Sequence, residues 1–370
     1  MKHQITFVGG QLLPVYVGIK EFSPDTVHFI VSKESKDKLS LLKAFVTSIS
    51  FTENICDPFD FLSIKQICEE VLSKIEVNDE VQFNLTGGTK IMVLAAQSIM
   101  QQKKINGFYI NQDDTILFLQ SYKIKELNCE ISIKEFLELS GHKLSSSKAL
   151  SDFDKDDFIA VKEIDSFSSI NSKLYLQINS KIRSTYIALR KIPKNGQLEI
   201  NKSSTLIWST NEIIVLSSGK EIFKILSNNV RNLFFHAAWW ELIVAQEISQ
   251  WPKVKELLIQ CELPFKSDNK TTKNEIDILI NLGRKLIFIE CKSGMVKQED
   301  INKIKIVKDT YGGVISKSLL VCRFAPSQNI LEKCKELSIG VFYCYDGSNL
   351  INPLCELVSS LDKLDKRLTI

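Results

Sequence analysis

In the first 141 residues, short apolar runs alternate with longer amphipathic stretches. The runs predict strands at 4–8, 26–31, 80–85, 107–110 and 115–120, and the stretches predict helices at 40–48, 59–75 and 89–102. Strands alternating with helices imply an α/β fold with a mostly parallel, doubly wound sheet, whose ligands bind beyond the carboxyl ends of strands. From 142 to about 156 the pattern lapses into a linker, with Ser145-Ser146-Ser147 and an acidic run from Asp152 to Asp157. Short β-type runs follow, for example at 173–178, 183–189 and 213–216, and Asn195-Gly196 signals a hairpin turn. A third pattern sets in at 219: helix 233–250, strands 257–265, 276–281 and 285–291, helix 299–310, strand 318–322, helix 329–337 and strand 340–345. The chain thus divides into a doubly wound domain at 1–141, a linker and β-rich bridging segment at 142–218, and a domain of α-β-β-β-α-β order at 219–370.

The third part carries the sharpest chemistry. Asn274-Glu275-Ile276-Asp277 is followed, thirteen positions after Asp277, by Glu290-Cys291-Lys292. Side chains alternate along a strand, so Glu290 and Lys292 share a face that Cys291 does not. A neighbouring strand bearing Asp277 brings two carboxylates and an ammonium together. Two carboxylates can hold Mg2+ or Mn2+, and the amine can orient or activate a water for attack on a phosphodiester. The alternative is a salt bridge on a solvated sheet face, but the apolar run into Glu290 argues for burial. The spacing resembles the PD-(D/E)xK nuclease signature, and the element order is that of the restriction-endonuclease-like core. In nucleases of this kind the first core helix adds a glutamate to the metal site. Glu241, inside the apolar stretch 237–244, occupies that place. A lone carboxylate there is costly to bury unless paired or bound to a cation, the alternative being the exposed stripe of the helix. The resemblance makes Glu241, Asp277, Glu290 and Lys292 the catalytic set, with Asp277, Glu290 and Glu241 as metal ligands. Glu275, Gln298 and Tyr311 are lesser candidates. Trp239 and Trp240 are expected in the core or an interface, base-stacking being the other use of such side chains.

Two glycine turns follow strands of the first part: Gly9-Gly10-Gln11, and Thr86-Gly87-Gly88-Thr89-Lys90, which runs directly into an apolar helix. Glycines admit close approach of an anion to the backbone, and a helix N-terminus offers free amides. Neither a Walker A pattern nor GxGxxG is present, and Gly-Gly with Thr89 as a cap is the purely structural alternative. Asn84 to Lys90 resembles the ligand motif of CARF domains, the Rossmann-like sensor modules of type III CRISPR systems. The resemblance implies that Gly10, Gln11, Thr86, Gly87, Gly88, Thr89 and Lys90 contact phosphate or ribose of a cyclic oligoadenylate bound across a homodimer axis.

Composition changes this picture little. A net charge of +3 is permissive for nucleic acid, although residues 251–310 hold twelve Lys or Arg against nine Asp or Glu. The nine cysteines form no CxxC pair and the four histidines are scattered, so zinc is not expected. No run reaches membrane-spanning length and no export signal opens the chain, which suggests a cytoplasmic protein. As a whole, the sequence resembles the CRISPR ancillary nucleases activated by cyclic tetra-adenylate. That likeness implies an allosterically activated homodimer that cleaves RNA or DNA, single-stranded or as nicked plasmid, in antiviral defence. A ligand-responsive regulator with an inactive nuclease fold, and a constitutive restriction or repair endonuclease, are the competing readings.

Overall fold

In β1 (Lys2–Val8) every residue from His3 onward is buried, as expected of a strand covered on both faces. The computed structural model describes residues 1–186, 191–264, 273–313, 316–343 and 350–367. Around β1 lie β2 (Thr26–Val31), β3 (Ser50–Ile55), β4 (Glu80–Asn84) and β5 (Asn106–Ile110), parallel in the order β3-β2-β1-β4-β5. β6 (Thr115–Phe118) and β7 (Ile124–Glu126) extend the β5 edge antiparallel. The crossover helices are α1 (Leu13–Phe22), α2 (Leu39–Phe45), α3 (Phe61–Ser73) and α4 (Lys90–Lys103), and α5 (Ile133–Leu139) closes the unit. Strand order reverses between β1 and β4, so both glycine turns leave the sheet at its switch point, where ligands of open α/β sheets bind. Sequence patterning passes over α1 and β3. The helix hides behind Pro14 and β-branched residues, and β3 is a polar edge strand with almost every residue exposed.

The bridging segment departs most from expectation. β8 (Ser146–Lys148) joins the C-terminal sheet, and two helices follow, α6 (Lys155–Ile170) and α7 (Ser172–Thr185). The predicted strand at 173–178 is therefore helix, as are residues 183–185 of the next one, while 187–189 fall outside the described residues. The buried residues of α7, Tyr175, Ile178 and Ile182, are spaced three and four apart, and that period outweighs the local β-type composition. Four strands then form an antiparallel sheet: β9 (Gly196–Asn201), β10 (Ser204–Trp208), β11 (Glu212–Ser217) and β12 (Lys220–Leu226). Asn195-Gly196 is not a hairpin turn. Gly196 opens β9, and a Cβ there would lie 2.3 Å from the Trp208 ring.

The last unit begins with α8 (Val230–Phe235) and α9 (Ala238–Ser249), one predicted helix broken where Ala237 takes φ 61. There follow β13 (Glu256–Pro264), β14 (Lys273–Asn281), β15 (Leu286–Lys292), α10 (Gln298–Tyr311), β16 (Lys317–Cys322), α11 (Gln328–Glu336), β17 (Gly340–Phe342) and α12 (Ile351–Arg367). Phe265, Cys344 and Tyr345, expected in strands or core, lie outside the described residues. The sheet runs β17-β16-β15-β14-β13-β8, with β13, β14 and β15 antiparallel and β15, β16 and β17 parallel. One hydrophobic core joins α6, α7 and the four-stranded sheet to α9 and this sheet, so the bridging segment packs as part of the C-terminal unit. The N-terminal unit shares a second hydrophobic core, through α1, α2 and α5, with one face of β13, β14, β15 and α10, and it also meets the β14–β15 turn. There Asp114 accepts from Arg284 Nε at 3.0 Å and pairs with Lys285 Nζ at 3.3 Å, while Glu256 accepts the Ile133 amide at 2.6 Å.

Candidate functional site

Two strands turn over at the catalytic candidates. Ile259 and Ile278, paired across β13 and β14, belong to the core beneath α9. Cys261 and Ile276, one pleat further on, belong instead to the core containing Val307 and Tyr311 of α10. Residues two apart on a regular strand share a face, so both strands rotate between these pairs, at Gln260 and at Asp277. The β14–β15 ladder ends at Ile278 opposite Ile289, which leaves Asp277 and Glu290 where the strands part. There the Asp277 carboxylate accepts the Cys291 amide at 2.7 Å.

Sequence alternation holds beyond that point. Lys292 Nζ donates to Glu290 Oε1 at 2.8 Å and pairs with Asp300 of α10 at 3.1 Å. Lys303, one turn further along α10, lies 3.4 Å from both Glu290 oxygens. Asp277 and Glu290 are 9% and 3% exposed, which rules out a salt bridge on a solvated face. Glu241 of α9 is part-buried and accepts from Gln260 Nε2 at 3.1 Å. Burial, and then repulsion from Glu290 and Glu241, pushes the Asp277 carboxyl well above its ordinary range. Burial likewise lifts Glu241 to about 7, with Glu275 and Glu290 adding to the shift. Burial opposes the charge on Lys292, but Glu290 outweighs it and the pKa is raised. The Cys291 thiol is pushed up by burial and is a packing group.

Among the described residues, no three His, Cys, Asp or Glu side chains stand ready to cage one ion. The donor chemistry nevertheless suits a hard cation. Two buried carboxylates repel one another, with a third nearby, and a divalent charge relieves that repulsion. This has a measurable consequence. Carboxyls raised in the folded state bind more protons than in the unfolded chain between about pH 4.5 and the folded pKa, so their contribution to stability falls as pH rises through that window. His28, lowered by burial to about 4, and His236, also lowered by burial, act with the opposite sign in the same window. The carboxylate effect is therefore read as a difference. Between pH 5 and pH 7.5, Glu241→Gln should lose less Tm, or gain more, than the native protein, and Mn2+ should raise the native Tm more at pH 7.5 than at pH 5. Parallel Tm profiles for the two proteins would contradict this.

The lesser candidates sort themselves by burial. Trp239 and Trp240 are fully buried, their indole N–H groups bonded to Tyr175 and to the Val321 carbonyl, so they are core and cannot stack bases. Tyr311 is also buried, receives Asn274 Nδ2 at 2.7 Å and packs edge-on to His142. Glu275 and Gln298 are exposed, on β14 and at the start of α10. Sequence reading missed Asp300, Lys303 and Gln260. The first two were open to detection, since residues three apart share the face of a helix that follows the Lys292 strand.

At the other end of the chain, the two glycine turns touch. A Cβ on Gly9 would lie 3.1 Å from the Gly88 amide nitrogen, and one on Gly87 would lie 2.3 Å from the Phe7 carbonyl. Gly88 has φ +84. Thr89 is the N-cap of α4: its hydroxyl accepts the Met92 amide at 3.2 Å and donates to the Pro58 carbonyl at 2.6 Å. Thr86 Oγ1 accepts the Ile110 amide at 3.0 Å. Both hydroxyls thus hold the turn together, and the exposed groups around it are Gly10, Gln11, Gly88 and Lys90. Among the described residues, no helix is long and apolar enough to cross a membrane.

Comparison with known proteins follows this division. Residues 4–141 match the family model described as Card1 CARF domain, and residues 228–355 match that described as Card1-like, endonuclease domain. A search of curated protein sequences finds no match. Among solved structures, Can2 from Sulfobacillus thermosulfidooxidans in complex with cyclic tetra-adenylate superposes with a TM-score of 0.69 at 19% identity, covering 98% of this chain and 99% of that one. Protein VC1899 from Vibrio cholerae gives 0.72 at 14% identity, covering 99% and 98%. A type III CRISPR defence DNA nuclease activated by cyclic oligoadenylate gives 0.60 at 16% identity, covering 96% of this chain and 51% of that one. At these identities the structural matches establish the fold.

Proposed function

This chain belongs to the CARF endonucleases of the Card1 type, and from that premise we propose a metal-dependent nuclease switched on by a cyclic oligoadenylate, most simply cyclic tetra-adenylate. The observation that carries the chemistry is the meeting of Asp277, Glu290 and Lys292 where the β14–β15 ladder opens. Asp277 and Glu290 would hold Mg2+ or Mn2+, with Glu241 acting through a water, because Mg2+ commonly takes one or two carboxylates and keeps several waters. When bound, the ion polarises the phosphodiester and acidifies a water. Lys292, held by Glu290 and Asp300, keeps its proton and orients the attacking water or a phosphate oxygen. Lys303 brings a second cation to the same carboxylate.

In this reading Lys90, Gly88, Gly10 and Gln11 face the ring, Gly87 lets the turn sit against β1, and Thr86 and Thr89 hold it in shape. Two copies would close the pocket, since a cyclic ligand of matching symmetry fits a two-fold axis. A series of contacts leads from the pocket to the hairpin that carries the site. Thr86 is bonded to Ile110 at the end of β5, the turn after β5 contains Asp114, and Asp114 holds the turn between β14 and β15. Asp114→Asn, which removes the charge and which φ +64 tolerates, should lower the ratio of ring-stimulated to basal cleavage about tenfold with ring affinity unchanged. An unchanged ratio would place the coupling elsewhere.

The proposal as a whole is tested by incubating the protein with Mn2+ and labelled single-stranded RNA, single-stranded DNA or plasmid, each with tri-, tetra- and hexa-adenylate rings. Cleavage that needs both the ion and one ring supports it. Cleavage without any ring would favour a constitutive endonuclease, and ring binding without cleavage would favour a regulator with an inactive nuclease fold.

A further inference from the structure

Eight non-glycine residues among those described have positive φ, and seven of them sit at turns or helix ends. Gln260, at φ 52, lies inside a strand. The left-handed region is unfavourable for a residue with a Cβ, and such strain persists where surrounding structure enforces it, often at functional sites. Here it reverses the face of β13, so that Ile259 and Cys261 enter different cores. It also directs the Gln260 side chain to the catalytic cluster. Nε2 donates to Glu241 Oε2 at 3.1 Å, and Oε1 accepts from Asn232 Nδ2 of α8 at 3.3 Å. With its carbonyl fixed by Asn232, the amide presents a donor to the carboxylate, and α8, β13 and α9 are tied at one point.

We propose that Gln260 is a positioning residue of the nuclease site, its strained backbone retained because it aims the amide that orients Glu241. The inference rests on the reading of Glu241, Asp277, Glu290 and Lys292 as a metal-dependent site. It extends that site to two residues, Gln260 and Asn232, on elements that carry none of the four.

Gln260→Gly separates the two roles of the position. Glycine accepts the left-handed backbone, so the variant keeps the reversal of β13 while losing the amide. Its Tm without metal should stay close to that of the native protein, relief of the left-handed backbone offsetting the two lost hydrogen bonds. Its ring-stimulated cleavage should fall by about ten- to hundredfold, and the Mn2+ concentration giving half the metal-induced rise in Tm should increase by a similar factor. Asn232→Ala leaves β13 untouched and should shift both readouts in the same direction by a smaller factor. A Gln260→Gly protein with native cleavage and a native Mn2+ response overturns the proposal. So does an Asn232→Ala protein that folds and shows neither change, even if the glycine variant fails to fold. If instead the native protein neither cleaves nor gains Tm with Mn2+, the reading of the site itself is what fails.

Discussion

Lys292→Ala is expected to slow ring-stimulated cleavage by about a thousandfold while leaving affinity for the ring unchanged. The side chain is three-quarters buried, its ammonium bonded to Glu290 at 2.8 Å and paired with Asp300 at 3.1 Å, and its pKa is raised. In the proposed reaction these two contacts would hold the ammonium in place to orient a water or a phosphate oxygen. Lys303 cannot stand in for it: its more exposed ammonium lies 3.4 Å from Glu290 and it approaches from the helix side. Glu290→Ala should be equally inactive but for a different reason, losing most of the Mn2+-induced rise in Tm, which Lys292→Ala should keep. Gel cleavage assays paired with thermal shift measurements separate the two. Cutting at the native rate by both variants would remove this cluster from the reaction.

The second large effect is expected at the other end of the molecule. Lys90→Ala should raise the ring concentration needed for half-maximal activation by about a hundredfold or more. A hydrogen bond from a charged donor contributes about 1.5–3 kcal/mol, and a two-fold pocket loses it from both copies. Lys90 is exposed at the first position of α4, beside Gly88 and Gly10, and among the described residues its ammonium has no hydrogen-bond partner. Thr89→Ala should behave differently. That hydroxyl caps α4 and holds the Pro58 carbonyl, so its loss should cost about 1 kcal/mol of stability and weaken activation only through a looser turn. A titration of activation against ring concentration distinguishes the two. Native activation by Lys90→Ala would leave the glycine turns as structural turns.

The hairpin of the candidate site was legible because two simple signals coincide there. Alternation places Glu290 and Lys292 on one face, and the run from Leu286 to Ile289 announces a buried strand, so a charged pair at its end is out of place unless it works. The glycine turn was legible for a similar reason, since strand, turn and helix each have their own pattern. Other features were hidden by physics that sequence patterning does not weigh. β3 lies at a sheet edge with no buried face to advertise, and α7 carries β-branched residues at helical spacing. Thr89 reads equally as ligand contact or cap until Pro58 arrives from another loop to claim its hydroxyl. Gln260 carries no local signal at all: nothing in its neighbours along the chain announces a positive φ inside a strand.

Crystals soaked in Mn2+ and measured at the manganese absorption edge would locate the ion itself. An anomalous peak within about 2.0–2.3 Å of one carboxylate oxygen from Asp277 and one from Glu290, with Glu241 reaching it directly or through a water, is the predicted result. No peak between those two side chains, in crystals of protein that cleaves nucleic acid in the same Mn2+ buffer, would contradict it.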